Sequence, residues 1–113
     1  MATPGGLPAT SLRALRSTIE PGTILLILSG SIARETIPAL CHRVDDLVSA
    51  HDPERLECDA RGVWPVDAVL LDALARLQLT VKRRGLWLRL SEMPQELLEL
   101  AVLAGLSEAL PTS

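Results

Sequence analysis

At 113 residues the chain has room for one domain around one core and not for two, and 48% hydrophobic against 22% charged residues places it among chains that fold rather than disordered ones. A net charge of −3 and the absence of Phe and Tyr remove both the bulk attraction for phosphate backbones and the usual base-stacking platforms, so no nucleic-acid partner is expected. No segment reaches the roughly 18 uninterrupted apolar residues of a membrane span, and MATPGGLPATSLRALRS contains no signal-peptide core; the expectation is a cytoplasmic protein that is not membrane-embedded.

Residues 1–10, with Pro4, Gly5, Gly6 and Pro8, are expected to form a flexible lead-in, followed by one domain over 11–110 and a short tail at 111–113. Residues 12–19 fit a short helix or an edge strand, and the Pro21-Gly22 turn signal favours a hairpin into the next segment. Ile24 to Leu28 is a continuous apolar run, which predicts a central strand covered on both faces. After Gly30 the period changes: Ile37, Leu40, Cys41, Val44, Leu47 and Val48 recur at helical spacing, with Pro38 tolerated in the first turn, and the helix should run to about Ala50. His51-Asp52-Pro53 breaks it, and Arg55–Asp59 alternates as a second core strand ending at Asp59.

From Val66, the positions Val66, Val69, Leu70, Ala73, Leu74, Leu77 and Val81 trace one helical stripe, with Lys82, Arg83 and Arg84 at its C-terminal end before Gly85. Leu86–Leu90 reads as the next strand, and a last helix begins near Pro94, turns Leu97, Leu98, Ala101 and Val102 inward and stops at Gly105. Strands separated by helices on short connections imply an α/β fold with a largely parallel sheet.

Chemistry-bearing patterns are scarce. Cys41 and Cys58 sit at positions that fit apolar faces and read as buried thiols, and His42 and His51 lack ligand-spaced partners, so no metal site is expected. No glycine cluster forms a phosphate-binding loop, and no nucleophile–base or paired-carboxylate set can be assembled, so no cofactor is expected and the chain reads as a non-enzyme. Asp67 immediately precedes a helical stripe, where a carboxylate accepts hydrogen bonds from the first-turn N–H groups; capping is its expected role.

Several segments together resemble one family. The strand-helix-strand-helix-strand-helix order, Ser29-Gly30-Ser31-Ile32 after the central strand, Leu56-Glu57-Cys58-Asp59 followed eight residues later by Asp67, and the tail PQELLELAVLAGLSEAL are similar to a STAS domain, the fold of bacterial anti-sigma factor antagonists. The resemblance spans Ser11 to Leu110. It implies a small mixed sheet flanked by helices, mostly on one side, and a function in docking partner proteins. The family's working motif is D-S-S-G, with a serine phosphorylated by a kinase that is also the anti-sigma factor. Here the stretch is Asp67-Ala68-Val69-Leu70, and Ala33 stands where the family commonly has an aspartate. No hydroxyl is present to accept phosphate at Val69, so the docking face cannot be switched off by that route.

The resemblance therefore implies a protein-interaction module for transcription regulation by partner switching, docking an anti-sigma factor or kinase-like regulator around Asp67 without the phosphorylation switch. A second reading, also from the resemblance, is an accessory subunit of a membrane lipid-transport complex that binds its ATPase. Ala68, Leu71, Ala75 and Leu79 form a second apolar stripe on the same helix, expected to face outward, and Trp64 beside it suits either an interface or the core. The candidate partner-binding residues are Trp64, Asp67, Ala68, Val69, Leu71 and Ala75. A nucleotide or small-molecule sensor would need converging polar groups, and Ala33, Ala68 and Val69 argue against one. The basic group Lys82, Arg83, Arg84 and Arg89 suits an acidic partner or membrane headgroups, but reads first as a solvated helix end.

Overall fold

The protein is described here from a computed structural model covering residues 14–92 and 95–103; the lead-in at 1–10, Pro94, Gly105 and the tail lie outside the described residues. Leu15–Glu20 forms β1 and Thr23–Gly30 forms β2. The Pro21-Gly22 turn closes them into an antiparallel hairpin, registered from Leu15 opposite Leu28 to Glu20 opposite Thr23. Gly22 has φ of 80°, a left-handed conformation that costs glycine little because it has no Cβ.

A single 3-10 turn, Arg34–Thr36, leads into helix α1, Ile37–His51. The helix ends one residue later than the pattern suggests, where Asp52 enters the left-handed region at φ 46° and donates its N–H to the Val48 carbonyl at 2.8 Å. Strand β3 spans Arg55–Val63 and runs parallel to β2. It continues four residues past the expected end at Asp59, because Ala60 and Val63 remain in the core after a register shift opposite Ile27–Ser29. Helix α2 is Ala68–Lys82, strand β4 is Leu88–Glu92 and helix α3 is Gln95–Leu103. Leu86 and Trp87 belong to the turn before β4, where the Leu86 N–H bonds the Val81 carbonyl at 3.1 Å, and not to the strand itself.

The sheet order is β1-β2-β3-β4, with one antiparallel and two parallel pairings: a mixed, mostly parallel sheet. Both crossovers step across the sheet in the same direction, so right-handed connections place α1 and α2 on one face. The burial pattern follows. Ile24, Leu26, Leu28, Leu56, Cys58, Leu88 and Leu90 are sealed against Leu40, Val44 and Leu47 of α1, Leu70, Leu74, Leu77 and Val81 of α2, and Leu97 of α3. Leu25 and Ile27 on the opposite face are only half-buried, so β2 is an interior strand covered fully on one side. The continuous apolar run overstated its cover.

One polar residue enters the core. Gln78 is buried, and its amide donates to the Leu88 carbonyl at 2.9 Å and accepts from the Leu88 N–H at 2.8 Å, tying α2 to β4 in the way a neighbouring strand would. Helix α3 is less embedded than its pattern predicts: Leu97 is fully buried, but Leu98 and Val102 are exposed. A short helix at the margin of the layer buries Leu97, packs Leu100 partly against the core, and leaves Leu98 and Val102 in solvent.

Candidate functional site

Parallel strands deliver their C-terminal ends to one edge of the sheet, and the segments that follow them meet there. At this edge the Trp64 N–H donates to the Gly30 carbonyl at 3.0 Å. Gly62 lies so close to β2 that a Cβ there would sit 3.1 Å from that of Ser29, so the two strand ends are pressed together. Trp64 projects from this junction and is 73% exposed, which places it on the surface and not in the core.

Asp67 has extended backbone geometry and caps α2: its Oδ1 accepts the Val69 N–H at 3.1 Å and the Leu70 N–H at 3.2 Å. Two orphan donors of the first turn are satisfied by one carboxylate, as the sequence pattern predicts. Ala68 is exposed beside it, and Val69 is half-buried. One turn further on, Asp72 accepts from Arg34 Nη1 at 3.1 Å and from Arg76 Nε at 3.0 Å, which ties the 3-10 turn ahead of α1 to the start of α2. Ala33 opens that turn, and its carbonyl accepts from the Thr36 hydroxyl at 2.7 Å. Arg61 grips Asp59 with two guanidinium bonds of 3.0 and 2.8 Å and a backbone N–H at 3.0 Å; the side-chain hydrogen bond from Arg61 is the main reason the Asp59 carboxyl is held below its ordinary range.

The structure thus brings Trp64, Asp67 and Ala68 to one edge, with Val69 behind them. Leu71 is different: it is 6% exposed and belongs to the core, so the expected outward stripe fails at that position. Leu71, Leu74 and Gln78 stand at i, i+3 and i+7 on one side of α2, the side that Gln78 bonds to β4. The helix is covered by more than the sheet beneath it, and its buried arc is wider than a single stripe. The outward line is Ala68, Asp72, Ala75 and Leu79, of which Ala75 is half-buried and Leu79 is 59% exposed.

The Arg34–Asp72–Arg76 triad escaped the sequence reading. The Asp72–Arg76 spacing of four on a helix is legible, whereas the third member arrives from 38 residues away and leaves no local signal. The basic group at the end of α2 also resolves differently from a merely solvated end. Arg84 bonds Asp45 of α1 at 2.6 and 3.1 Å, chiefly through which the Asp45 carboxyl is lowered, and Lys82 lies 4.9 Å from the centroid of the half-exposed Trp87 ring. Cys58 is sealed in the core, where burial pushes its thiol up to about 12, while Cys41 is half-buried. Among the described residues, no group of three or more His, Cys, Asp or Glu converges, and no helix is long and apolar enough to cross a membrane. What this edge offers chemically is a contact surface: an exposed indole at Trp64 and an exposed alanine at the capped start of α2.

Solved structures and a family model place this architecture. Known folds of the same kind include the TM1081 protein of Thermotoga maritima (TM-score 0.71, 13% identity, 86% of this chain and 78% of that one), the unphosphorylated anti-sigma factor antagonist SpoIIAA (0.68, 8%, 88% and 88%), and an anti-sigma factor antagonist from Mycobacterium paratuberculosis (0.67, 22%, 87% and 82%). At these identities the likeness is one of fold. No curated protein matches the sequence significantly. The family model described as "Mlab, STAS domain" matches residues 15–112, which is nearly the whole chain, and the protein therefore belongs to the STAS domain family, whose members serve as protein-interaction modules.

Proposed function

We propose that this STAS domain is a non-enzymatic docking module that binds an anti-sigma factor or kinase-like regulator through the edge formed by Trp64, Asp67, Ala68 and Val69, and that it does so without a serine phosphorylation switch. The observation that carries the reading is the start of α2. A well-capped helix presents an exposed methyl at Ala68 next to an exposed indole at Trp64, and no hydroxyl stands at 68–70. Tryptophan is enriched among the residues that dominate interface energies, and a phosphate would disrupt an apolar contact by its desolvation cost. Binding at this edge is then constitutive or governed by the partner. Leu71 has no part in the contact, because it is buried.

A second reading uses the same edge for a transporter ATPase. The loss of both polar members of the switch, at Ala33 and Val69, favours it, since a permanent subunit has no use for a phosphorylation-controlled release.

Photo-crosslinking tests both. A benzophenone amino acid placed at Ala68 in the full chain should crosslink in its native cells to one regulator of the anti-sigma or kinase class, and Trp64→Ala should reduce the yield at least about tenfold. A crosslink to an ATPase subunit establishes the second reading instead. Equal crosslinking from Ala68 and from Thr18, on the exposed β1, would refute the proposed face.

A further inference from the structure

A second concave surface lies on the outer side of the α1–α2 pair, away from the sheet. Two adjoining hollows of about 470 and 250 Å³ share Pro38 and Cys41 of α1 with Thr80 and Arg83 at the end of α2. Leu79 lines the smaller one and is 59% exposed, an aliphatic side chain left uncovered in the floor of a groove. The rim is cationic. Arg76, Arg83 and Arg84 border the hollows; Asp72 is engaged by Arg34 and Arg76 and Asp45 by Arg84, and with Asp46, whose charge also reaches Arg84, these four arginines still exceed the three carboxylates around them. Arg83 borders both hollows; its backbone N–H caps the helix on the Val81 carbonyl, and among the described residues its guanidinium makes no hydrogen bond or salt bridge, acting on Asp45 only through its charge. A surplus of positive charge around an apolar floor stands out on a chain whose net charge is −3.

We propose that this groove docks an acidic amphipathic helix of a partner protein. Its walls are two helices whose backbone groups are already bonded internally, so an added strand would find no ladder to join, whereas a helix can lay apolar side chains spaced i, i+4 and i+7 between them. The floor of Pro38, Cys41 and Leu79 takes those side chains, and carboxylates on the flanks of the incoming helix meet Arg76 and Arg83. Charge complementarity of this kind selects the partner and speeds its arrival. The groove is independent of the edge at Asp67, since neither Trp64 nor Ala68 lines it.

The groove contains its own reporter. Cys41 lines both hollows and is half-buried, and Cys58, the other cysteine, is sealed with its thiol pushed up to about 12, so alkylation of the folded protein reads Cys41. The probe is a helical peptide of about four turns with Leu at i, i+4, i+7 and i+11 and Glu on both flanks, compared with the same peptide carrying Lys in place of Glu. The Glu peptide should slow iodoacetamide modification of Cys41 and bind at least about tenfold more tightly than the Lys peptide by fluorescence anisotropy. Arg83→Glu, an exposed change, should reverse that preference with an unaltered circular dichroism spectrum, and Trp64→Ala should leave it intact. The proposal is overturned by equal binding of the two peptides, by no binding at millimolar concentration, or by binding that leaves Cys41 unprotected. It is equally overturned if Cys41 becomes protected with rising protein concentration and no peptide, which would make a second copy of the chain the occupant.

Discussion

Single side chains carry two consequences that can be measured. Asp67 satisfies two N–H groups at the start of α2, so Asp67→Ala should lower stability by about 0.5–2 kcal/mol, read as a shift in the urea midpoint, with Asp67→Asn recovering most of it. An unchanged midpoint would remove the cap and leave that carboxylate for the partner. The two cysteines should separate in the same native sample. Burial holds Cys58 protonated and the thiolate is the reactive species, so a thiol reagent should titrate one group per chain in buffer and two in denaturant. Cys41→Ser should leave the folded protein unreactive.

Helix α2 is the element on which the candidate site depends, and its faces predict opposite outcomes for residues that look equivalent in the sequence. Leu71→Glu should unfold the domain, because it places an unpaired charge in a site that is 6% exposed. Leu79→Glu, at 59% exposed, should leave the circular dichroism spectrum and the melting temperature nearly unchanged. Gln78 fastens the same helix to β4. Gln78→Leu keeps the volume but strands the N–H and C=O of Leu88, at about 1–3 kcal/mol for each buried group left without a partner. Hydrogen exchange at the Leu88 amide should accelerate beyond the rate expected from that global loss alone.

At the level of the whole molecule, the one-sided layering makes neighbouring residues of β2 unequal. Leu26→Ala should cost about 2–5 kcal/mol as a core truncation, since Leu26 is fully buried beneath the helices. Leu25→Ala, on the half-covered face, should cost clearly less. Equal losses in denaturant titrations would show that the second face is also covered in solution. The open face and the helical groove lie on opposite sides of the sheet, so a partner held at the Asp67 edge leaves both accessible.

Local pattern alone determined much of this protein. The Pro21-Gly22 hairpin, the apolar period of α1, the capping aspartate before α2 and the missing acceptor hydroxyl at Val69 depend on residues close together in the chain, where propensity and spacing act directly. The same holds for the strand and helix order, and with it the family. What only the tertiary structure decided was exposure. Leu71 and Leu79 are both leucines on one helix, and nothing within α2 says that the first is buried in the core and the second left open. The continuation of β3 to Val63 depends on a register shift against β2, and the Arg34–Asp72–Arg76 triad joins groups 38 residues apart. Gln78 reads as an ordinary surface glutamine until β4 arrives beside it. Burial is a property of what packs against a residue, and contacts between distant segments are fixed by topology, so they emerge only when the sheet and its helices are assembled.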